Sequence, residues 1–145
     1  MKKYFTQNEI PEIAKEILSS LKSEEKATVL ALSGDLGAGK TTLTQAIARE
    51  VGVEENVISP TFVIMKSYNL PNKLEGLKAK KLIHIDAYRL NSSAELERLG
   101  WAELVVNPEN FILIEWPERV PESIPSHAKR ITLSHKDDET REIEY

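Results

Sequence analysis

A glycine-rich bend is the feature of this sequence that most constrains its fold. In LALSGDLGAGKTTLTQAIAREVG, residues 30–52, three of the chain's six glycines stand between a continuous apolar run and a helical pattern. Four residues match the spacing G-x-x-x-x-G-K-[ST] of the Walker A motif, or P-loop, and Gly37 lies among them. The four are Gly34, Gly39, Lys40 and Thr41. The apolar run is typical of a strand buried on both faces, so the pattern predicts a strand, a tight loop and a helix in succession.

The residue types of this bend suit a chain of phosphates. Glycines allow the positive φ angles and the close backbone approach that are needed when main-chain N–H groups wrap a phosphate. The helix that starts at Lys40 points its unpaired N–H groups and partial positive charge at the anion. We expect the Lys40 side chain to reach the β- and γ-phosphates and the Thr41 hydroxyl to bind Mg²⁺. The main-chain amides expected to wrap the phosphates are those of Asp35, Leu36, Gly37, Ala38 and Gly39.

The remaining patterns place this unit in a mixed α/β domain. TFVIMKSYNL and KKLIHIDAYRL read as a hairpin, FILIEW as a buried strand, and RITLSHKDDETREIEY as a closing antiparallel hairpin. The stripe that begins at Ile10 predicts a helix capped by Asn8, and SSAELERLGWAELV predicts one further helix. The length of 145 residues favours a single P-loop domain, residues 1–145. We predict a sheet with a parallel centre, added antiparallel strands and helices on both faces.

Composition and charge limit the classes of function. The net charge is −4 and the isoelectric point is about 5.5, which disfavours a protein that grips a nucleic acid backbone by itself. The sequence contains no cysteine, no run of eighteen apolar residues and no apolar secretory leader, so we expect a cytoplasmic protein that does not enter a membrane.

Two carboxylates are candidates to bind the Mg²⁺ of a P-loop. The acidic residue that serves this metal usually lies at the C-terminal end of a neighbouring strand. Asp86 ends the apolar LIHID, and Glu115 ends FILIE. We expect Glu115 to bind the metal directly or through water, and Asp86 to contact the metal or orient the attacking water. For each, the alternative is a cap on the next turn or helix. Strand alternation places His84 on the same face as Asp86, where packing is its simplest role.

Other residues carry weaker signals. Thr61, in SPTF, stands where switch segments of P-loop proteins supply hydroxyls near the γ-phosphate, although Ser-Pro is also an ordinary turn. Trp116 and Trp101 are expected in the core on the residues alone. Arg89 is either a phosphate contact or a member of a surface ion pair.

Other P-loop classes fit less well. NKLE resembles the guanine-reading N-K-x-D of GTPases, but it has Glu in place of Asp and precedes LIHID, so a GTPase is excluded. A small-molecule kinase needs several arginines in a lid, and the arginines beyond the P-loop helix are dispersed. A kinase and an assembly factor that works by nucleotide occupancy alone remain the alternatives.

The order GDLGAGKTTL, SPTF, HIDAYRL, GWAEL and IEWPERV closely resembles the bacterial TsaE (formerly YjeE) family of tRNA threonylcarbamoyladenosine biosynthesis ATPases. The resemblance implies an ATPase that uses ATP and Mg²⁺ and is weak alone. It also implies two partners, the threonylcarbamoyl-transferase subunit and its inactive paralogue (the TsaD and TsaB types). With them, such a protein drives or resets a complex that modifies the adenosine next to the tRNA anticodon, so tRNA is met only indirectly.

Carried over by position, the resemblance implies a role for each matching residue. Lys40 and Thr41 would hold phosphate and Mg²⁺, with Thr42 also in the nucleotide site. Glu115 would be the metal-associated acid and Asp86 the acid linked to hydrolysis. Trp116 would be a functional aromatic residue of the nucleotide site, and Thr61 the switch threonine.

Overall fold

The computed structural model describes residues 1–22, 25–58, 64–71, 74 and 76–145. The strands in chain order are β1 (Lys2–Thr6), β2 (Thr28–Gly34), β3 (Met65–Asn69), β4 (Lys81–Asp86), β5 (Asn110–Glu115), β6 (Lys129–His135) and β7 (Thr140–Glu144). The helices are α1 (Ile10–Ser20), α2 (Lys40–Glu50), α3 (Ser93–Glu97) and α4 (Trp101–Val106). Short 3₁₀ turns cover Gln7–Glu9, Pro117–Arg119 and Pro121–Ser123.

Within the described residues, the strands form one mixed sheet in the order β1-β7-β6-β2-β5-β4-β3. Strand β2 pairs in parallel with β5 and β6, and β5 pairs in parallel with β4. The β3–β4, β6–β7 and β1–β7 pairs are antiparallel. The predicted parallel centre with added antiparallel strands is therefore confirmed.

Helices cover both faces of the sheet, as predicted. Apolar side chains of α1 and α2 pack with Leu30 and Leu32 of β2 in one core layer. Side chains from α3 and α4 pack with Val29 and Ala31 in the other. Because successive residues of a strand point to opposite faces, β2 is buried on both sides, and its continuous apolar sequence follows from this position.

Two local predictions were wrong. The single helix expected over SSAELERLGWAELV is two short helices, because Gly100 adopts φ of +87° and interrupts the helical backbone before α4. The cap expected at Asn8 lies elsewhere, since Asn8 is inside the 3₁₀ turn that precedes α1. At that turn the backbone N–H and the hydroxyl of Thr6 both donate to the Glu9 carboxylate.

The first and last strands along the chain, β1 and β7, are neighbours in the sheet. Strands β1 and β7 pair along their whole length, with Lys3 opposite Ile143. The Tyr145 hydroxyl donates to the Glu16 carboxylate at 2.7 Å, and Lys3 forms an ion pair with the same carboxylate. These contacts join β1, α1 and the segment after β7 at one edge of the sheet. Across the described part of the chain, the helices are too short or too polar to span a lipid bilayer.

Candidate functional site

The glycine-rich loop, residues 34–40, connects the end of β2 to the start of α2. Gly34, Gly37 and Gly39 have φ angles of +148°, +80° and +105°. Residues with a Cβ rarely adopt φ angles in this region. A turn within the loop is closed by a 3.0 Å hydrogen bond from the Ala38 N–H to the Asp35 carbonyl. The loop backbone therefore has the positive φ angles that the glycine spacing predicted.

The first of these glycines meets a constraint that the motif does not reveal. Gly34 pairs with Leu133 of β6, and a Cβ built on Gly34 would lie 2.3 Å from the Leu133 carbonyl oxygen. A Cβ on Gly39 would have no atom within 4 Å. Gly34 is thus required by the close passage of β6 as well as by its φ angle, whereas Gly39 faces open space.

Lys40 begins α2 with its side chain turned back across the loop. Its Nζ donates to the carbonyl oxygens of Gly34 and, at 2.9 Å, Asp35. The same Nζ lies 4.2 Å from the centroid of the Trp116 ring, within the range of a cation–π interaction. Lys40 is only 5% exposed.

The electrostatic surroundings of Lys40 act in opposite directions. Burial lowers the pKa of Lys40 from its ordinary value, because removal from water disfavours the ammonium form. The negative charges of Glu115, Glu118, Asp35 and Asp86 oppose this shift. An ammonium group is thereby surrounded by carboxylates at the start of a helix.

Glu115, the last residue of β5, links the sheet to the start of α2. One carboxylate oxygen, Oε1, accepts a 3.2 Å hydrogen bond from the Thr41 hydroxyl. The other, Oε2, lies 2.5 Å from Nε2 of His84 on the neighbouring strand β4. The side chains of His84 and Glu115 are 0% and 3% exposed. A buried carboxylate with a threonine hydroxyl beside it offers hard oxygen donors of the kind that Mg²⁺ takes together with phosphate oxygens.

Asp86 occupies the position next to Glu115 in the sheet. The two residues are direct partners in the parallel pairing of β4 with β5, so their side chains leave the same face of the sheet. The Asp86 carboxylate also accepts a 3.0 Å hydrogen bond from the Tyr88 N–H. Asp86 therefore has the turn-capping contact considered as an alternative, and it stands beside the candidate metal-binding carboxylate as well.

Two aromatic side chains, Trp116 and Tyr88, are in tilted contact beside the loop. Trp116 follows β5 with φ of +60°, and within the described residues it has the only positive φ outside glycine. Its ring centroid lies 4.9 Å from that of Tyr88, and the Arg119 guanidinium carbon lies 5.3 Å from the Tyr88 ring centroid. Trp116, expected in the core on the residues alone, is half-buried and contacts Lys40, whereas Trp101 is buried as expected.

A cavity of about 550 Å³ adjoins the glycine-rich loop. One wall is formed by the loop and the first turns of α2, including Gly39 and Thr42. The other walls come from residues 5–8, at the end of β1 and in the turn that follows it, from Asp138 in the β6–β7 turn and from Arg141 of β7. The cavity is therefore lined by polar groups drawn from both ends of the sequence.

The structure brings most of the predicted site residues together at the carboxyl ends of strands β2, β5 and β4. Lys40, Thr41, Asp86, Glu115 and Trp116 lie around the start of α2, and Thr42 lines the cavity. Thr61 lies outside the described residues. Among the residues that are described, no group of three or more His, Asp or Glu side chains forms a metal cage on its own.

Sequence reasoning missed several residues of this region. Tyr88 contacts the Trp116 ring, and Arg119 lies over the Tyr88 ring. Each follows a strand that ends in a predicted carboxylate, which was a usable signal. The cavity residues near Thr6 and Arg141 carried no local signal, because only the β1–β7 pairing brings them to the loop.

Comparison with known proteins connects this geometry to a family. The sequence profile of the family described as "Threonylcarbamoyl adenosine biosynthesis protein TsaE" matches residues 5–143. A curated relative from Haemophilus influenzae, described as "tRNA threonylcarbamoyladenosine biosynthesis protein TsaE", is 38% identical over 129 residues, covering 89% of this chain and 75% of that protein. A Bacillus subtilis protein with the same description is 38% identical over 117 residues, covering 81% and 68%. The crystal structure of Bacillus subtilis YdiB superposes with a TM-score of 0.75 at 32% identity, over 99% of this chain and 82% of that one. The chain belongs to the TsaE family.

Proposed function

We propose that this chain is a Mg²⁺-dependent ATPase that acts in the threonylcarbamoyladenosine modification of tRNA. Membership of a family described by threonylcarbamoyl adenosine biosynthesis supports the process. The chemistry is supported chiefly by one observation: a lysine ammonium, a threonine hydroxyl and a buried carboxylate meet where the glycine-rich loop enters α2. Its proposed partners are the threonylcarbamoyl-transferase subunit and the inactive paralogue of that subunit.

The start of α2 suits the phosphates of ATP. The N–H groups in the first turn of a helix have no acceptor within the helix, and the helix dipole adds partial positive charge there. Gly37 and Gly39 leave the approach to these groups free of side chains, and Lys40 supplies a full positive charge. Thr41 and Glu115 would hold Mg²⁺, which when bound neutralises charge on the transferring phosphoryl group.

The cavity beside the loop is the place proposed for the nucleoside part of ATP. It adjoins the first turns of α2 through Thr42, so a ligand whose phosphates lie on the loop reaches it directly. Its volume of about 550 Å³ lies within the ordinary range for small-molecule sites.

In the proposed mechanism, main-chain amides and Lys40 stabilise charge on the phosphoryl group, while a carboxylate orients the attacking water. We assign the carboxylate role to Asp86, because it lies beside Glu115 on the same face of the sheet and Glu115 is proposed to hold the metal. Thr61 is proposed as the switch residue through which contact with the partners regulates hydrolysis.

The deciding experiment measures ATP binding and free phosphate release by the purified protein, alone and with the two partner proteins. We expect binding with slow hydrolysis alone and faster hydrolysis with the partners. Lys40→Ala should abolish hydrolysis and weaken binding, whereas Lys15→Ala, an exposed lysine paired with Glu12 on α1, should change neither. Unchanged turnover in Lys40→Ala would refute the site assignment.

Two further results would replace the proposal. If a non-hydrolysable ATP analogue supports tRNA modification as well as ATP does, nucleotide occupancy is sufficient and the protein is an assembly factor. If labelled γ-phosphate appears on a metabolite and not as free phosphate, the protein is a kinase.

The role of Asp86 is tested separately. Asp86→Ala should keep ATP binding and lose hydrolysis, because the proposed role is to orient water. Loss of ATP binding in this variant would instead make Asp86 a structural residue or a metal anchor.

A further inference from the structure

His84 is a buried polar residue to which the proposed mechanism gives no task. It lies on β4, is completely shielded from solvent, and approaches Oε2 of Glu115 with its Nε2 at 2.5 Å. Its other ring nitrogen, Nδ1, is buried and has no hydrogen-bond partner among the described residues. The packing role expected for His84 would be filled more simply by an apolar side chain, since a buried nitrogen without a partner destabilises a fold.

The two carboxylate oxygens of Glu115 contact different elements of the fold, strand β4 and helix α2. Oε2 faces His84 in the sheet, and Oε1 faces the Thr41 hydroxyl at the start of α2. A carboxylate at the end of a side chain rotates readily unless one of its oxygens is fixed. Here Oε2 is held by His84 of the neighbouring strand β4.

We infer that His84 is a positioning residue, which holds Glu115 through Oε2 so that Oε1 stays directed at Thr41 and is available to Mg²⁺. The inference rests on the proposed function, because it assigns His84 a part in the metal site of the bound nucleotide. Hydrogen bonds from outside the ligand set commonly orient metal-binding side chains, and their removal typically weakens metal affinity by about 10- to 100-fold.

The hydrogen-bonding pattern determines which ring nitrogen carries the proton. Glu115 as a carboxylate can only accept, so Nε2 of His84 must be the donor. Nδ1 has no hydrogen-bond partner among the described residues. If the ring carries its proton on Nε2, Nδ1 leaves only a lone pair without a partner, and every N–H of the ring is hydrogen-bonded. The opposite arrangement, a protonated Glu115 donating to Nε2, would place the ring proton on Nδ1 and would not suit a metal ligand.

The test compares the Mg²⁺ requirement of nucleotide binding in matched variants. ADP affinity is measured by calorimetry in EDTA and over a range of Mg²⁺ concentrations. His84→Leu should raise the Mg²⁺ concentration that gives half of the maximal effect by about 10-fold or more, with ADP affinity in EDTA unchanged. His84→Gln should stay near the unsubstituted protein, because a glutamine amide can donate in place of Nε2.

His127 provides the control for loss of a histidine. Its Nε2 contacts the Ala27 carbonyl oxygen at 2.9 Å, near the start of β2 and far from the loop along that strand. His127→Leu should leave the Mg²⁺ requirement unchanged. Equal Mg²⁺ requirements in His84→Leu and the unsubstituted protein would overturn the inference alone, and so would equal losses in His84→Leu and His84→Gln. Absence of ADP binding or of any Mg²⁺ effect in the unsubstituted protein would overturn the proposed function as well.

A second measurement needs no substitution in the buried pair and decides the question if His84→Leu does not fold. Nitrogen-15 NMR of the unsubstituted protein reports which ring nitrogen of each histidine is protonated. We expect His84 to carry its proton on Nε2, and its resonance to shift when Mg²⁺ is added to the ADP complex, while that of His127 does not. A proton on Nδ1 of His84, or no response to Mg²⁺, would contradict the inference.

Discussion

Replacing Gly34 by alanine should lower the free energy of unfolding more than the same replacement at Gly39, another glycine of the loop. The added Cβ would lie 2.3 Å from the Leu133 carbonyl oxygen, about 0.7 Å closer than the 3.0 Å below which real Cβ atoms essentially never approach. The obstacle is the backbone of β6, which is paired with β2 at this residue, so relief requires the sheet to shift. We expect a cost of about 1–3 kcal/mol for the contact and about 1–2 kcal/mol for the positive φ angle.

Gly39→Ala is the matched variant. Gly39 has a φ angle of +105° but no atom within 4 Å of its Cβ position, so only the backbone strain of about 1–2 kcal/mol applies. Urea unfolding without nucleotide, followed by circular dichroism, should therefore rank the unsubstituted protein above Gly39→Ala and Gly39→Ala above Gly34→Ala. Equal urea midpoints for the two variants would refute the argument that β6 imposes the requirement at Gly34.

Other expectations concern the opposite face and the edge of the sheet. Trp101 is buried and its Nε1 donates to the Ser123 carbonyl oxygen at 3.0 Å, so Trp101→Phe should lower the free energy of unfolding by about 2–3 kcal/mol; a change below 0.5 kcal/mol, typical of surface sites, would contradict this. Burial, with the hydrogen bond to Glu16, raises the pKa of Tyr145 from 10.0 to about 12. Because the folded state holds this proton more tightly, the associated stability is complete below pH 10 and is lost as the pH rises towards 12. An alkaline absorbance titration should show a late tyrosine step that Tyr145→Phe lacks.

The parts of the fold that depend on local pattern were predictable. The glycine spacing with its apolar run and helical stripe predicted β2, the loop and α2, and alternation in LIHID predicted that His84 and Asp86 share a face. Asp86 and Glu115 were identified as candidates because each ends an apolar strand, and the carboxyl ends of neighbouring parallel strands meet on one side of a sheet. Asp86 and Glu115 do lie side by side.

The remaining features depend on register and on distant pairing, which local sequence does not specify. The contact between His84 and Glu115 exists because β4 and β5 align Asp86 with Glu115, and a shift of one residue would turn the histidine to the other face. The helix expected across Gly100 failed for a different reason. The leucine period around this glycine resembled one amphipathic helix, but Leu99 is 43% exposed, and the helices on either side are separate.

The pairing of β1 with β7 determines when, during folding, the cavity beside the glycine-rich loop is completed. The cavity beside the glycine-rich loop takes one wall from residues 5–8 and another from residues 138–141. These segments are separated by most of the polypeptide, so the entropy of closing a very long loop must be overcome before the walls meet. During synthesis the residues of the loop and α2 are therefore made long before residues 138–141. A small molecule that contacts both the loop and these cavity walls can bind only after β1 and β7 have paired.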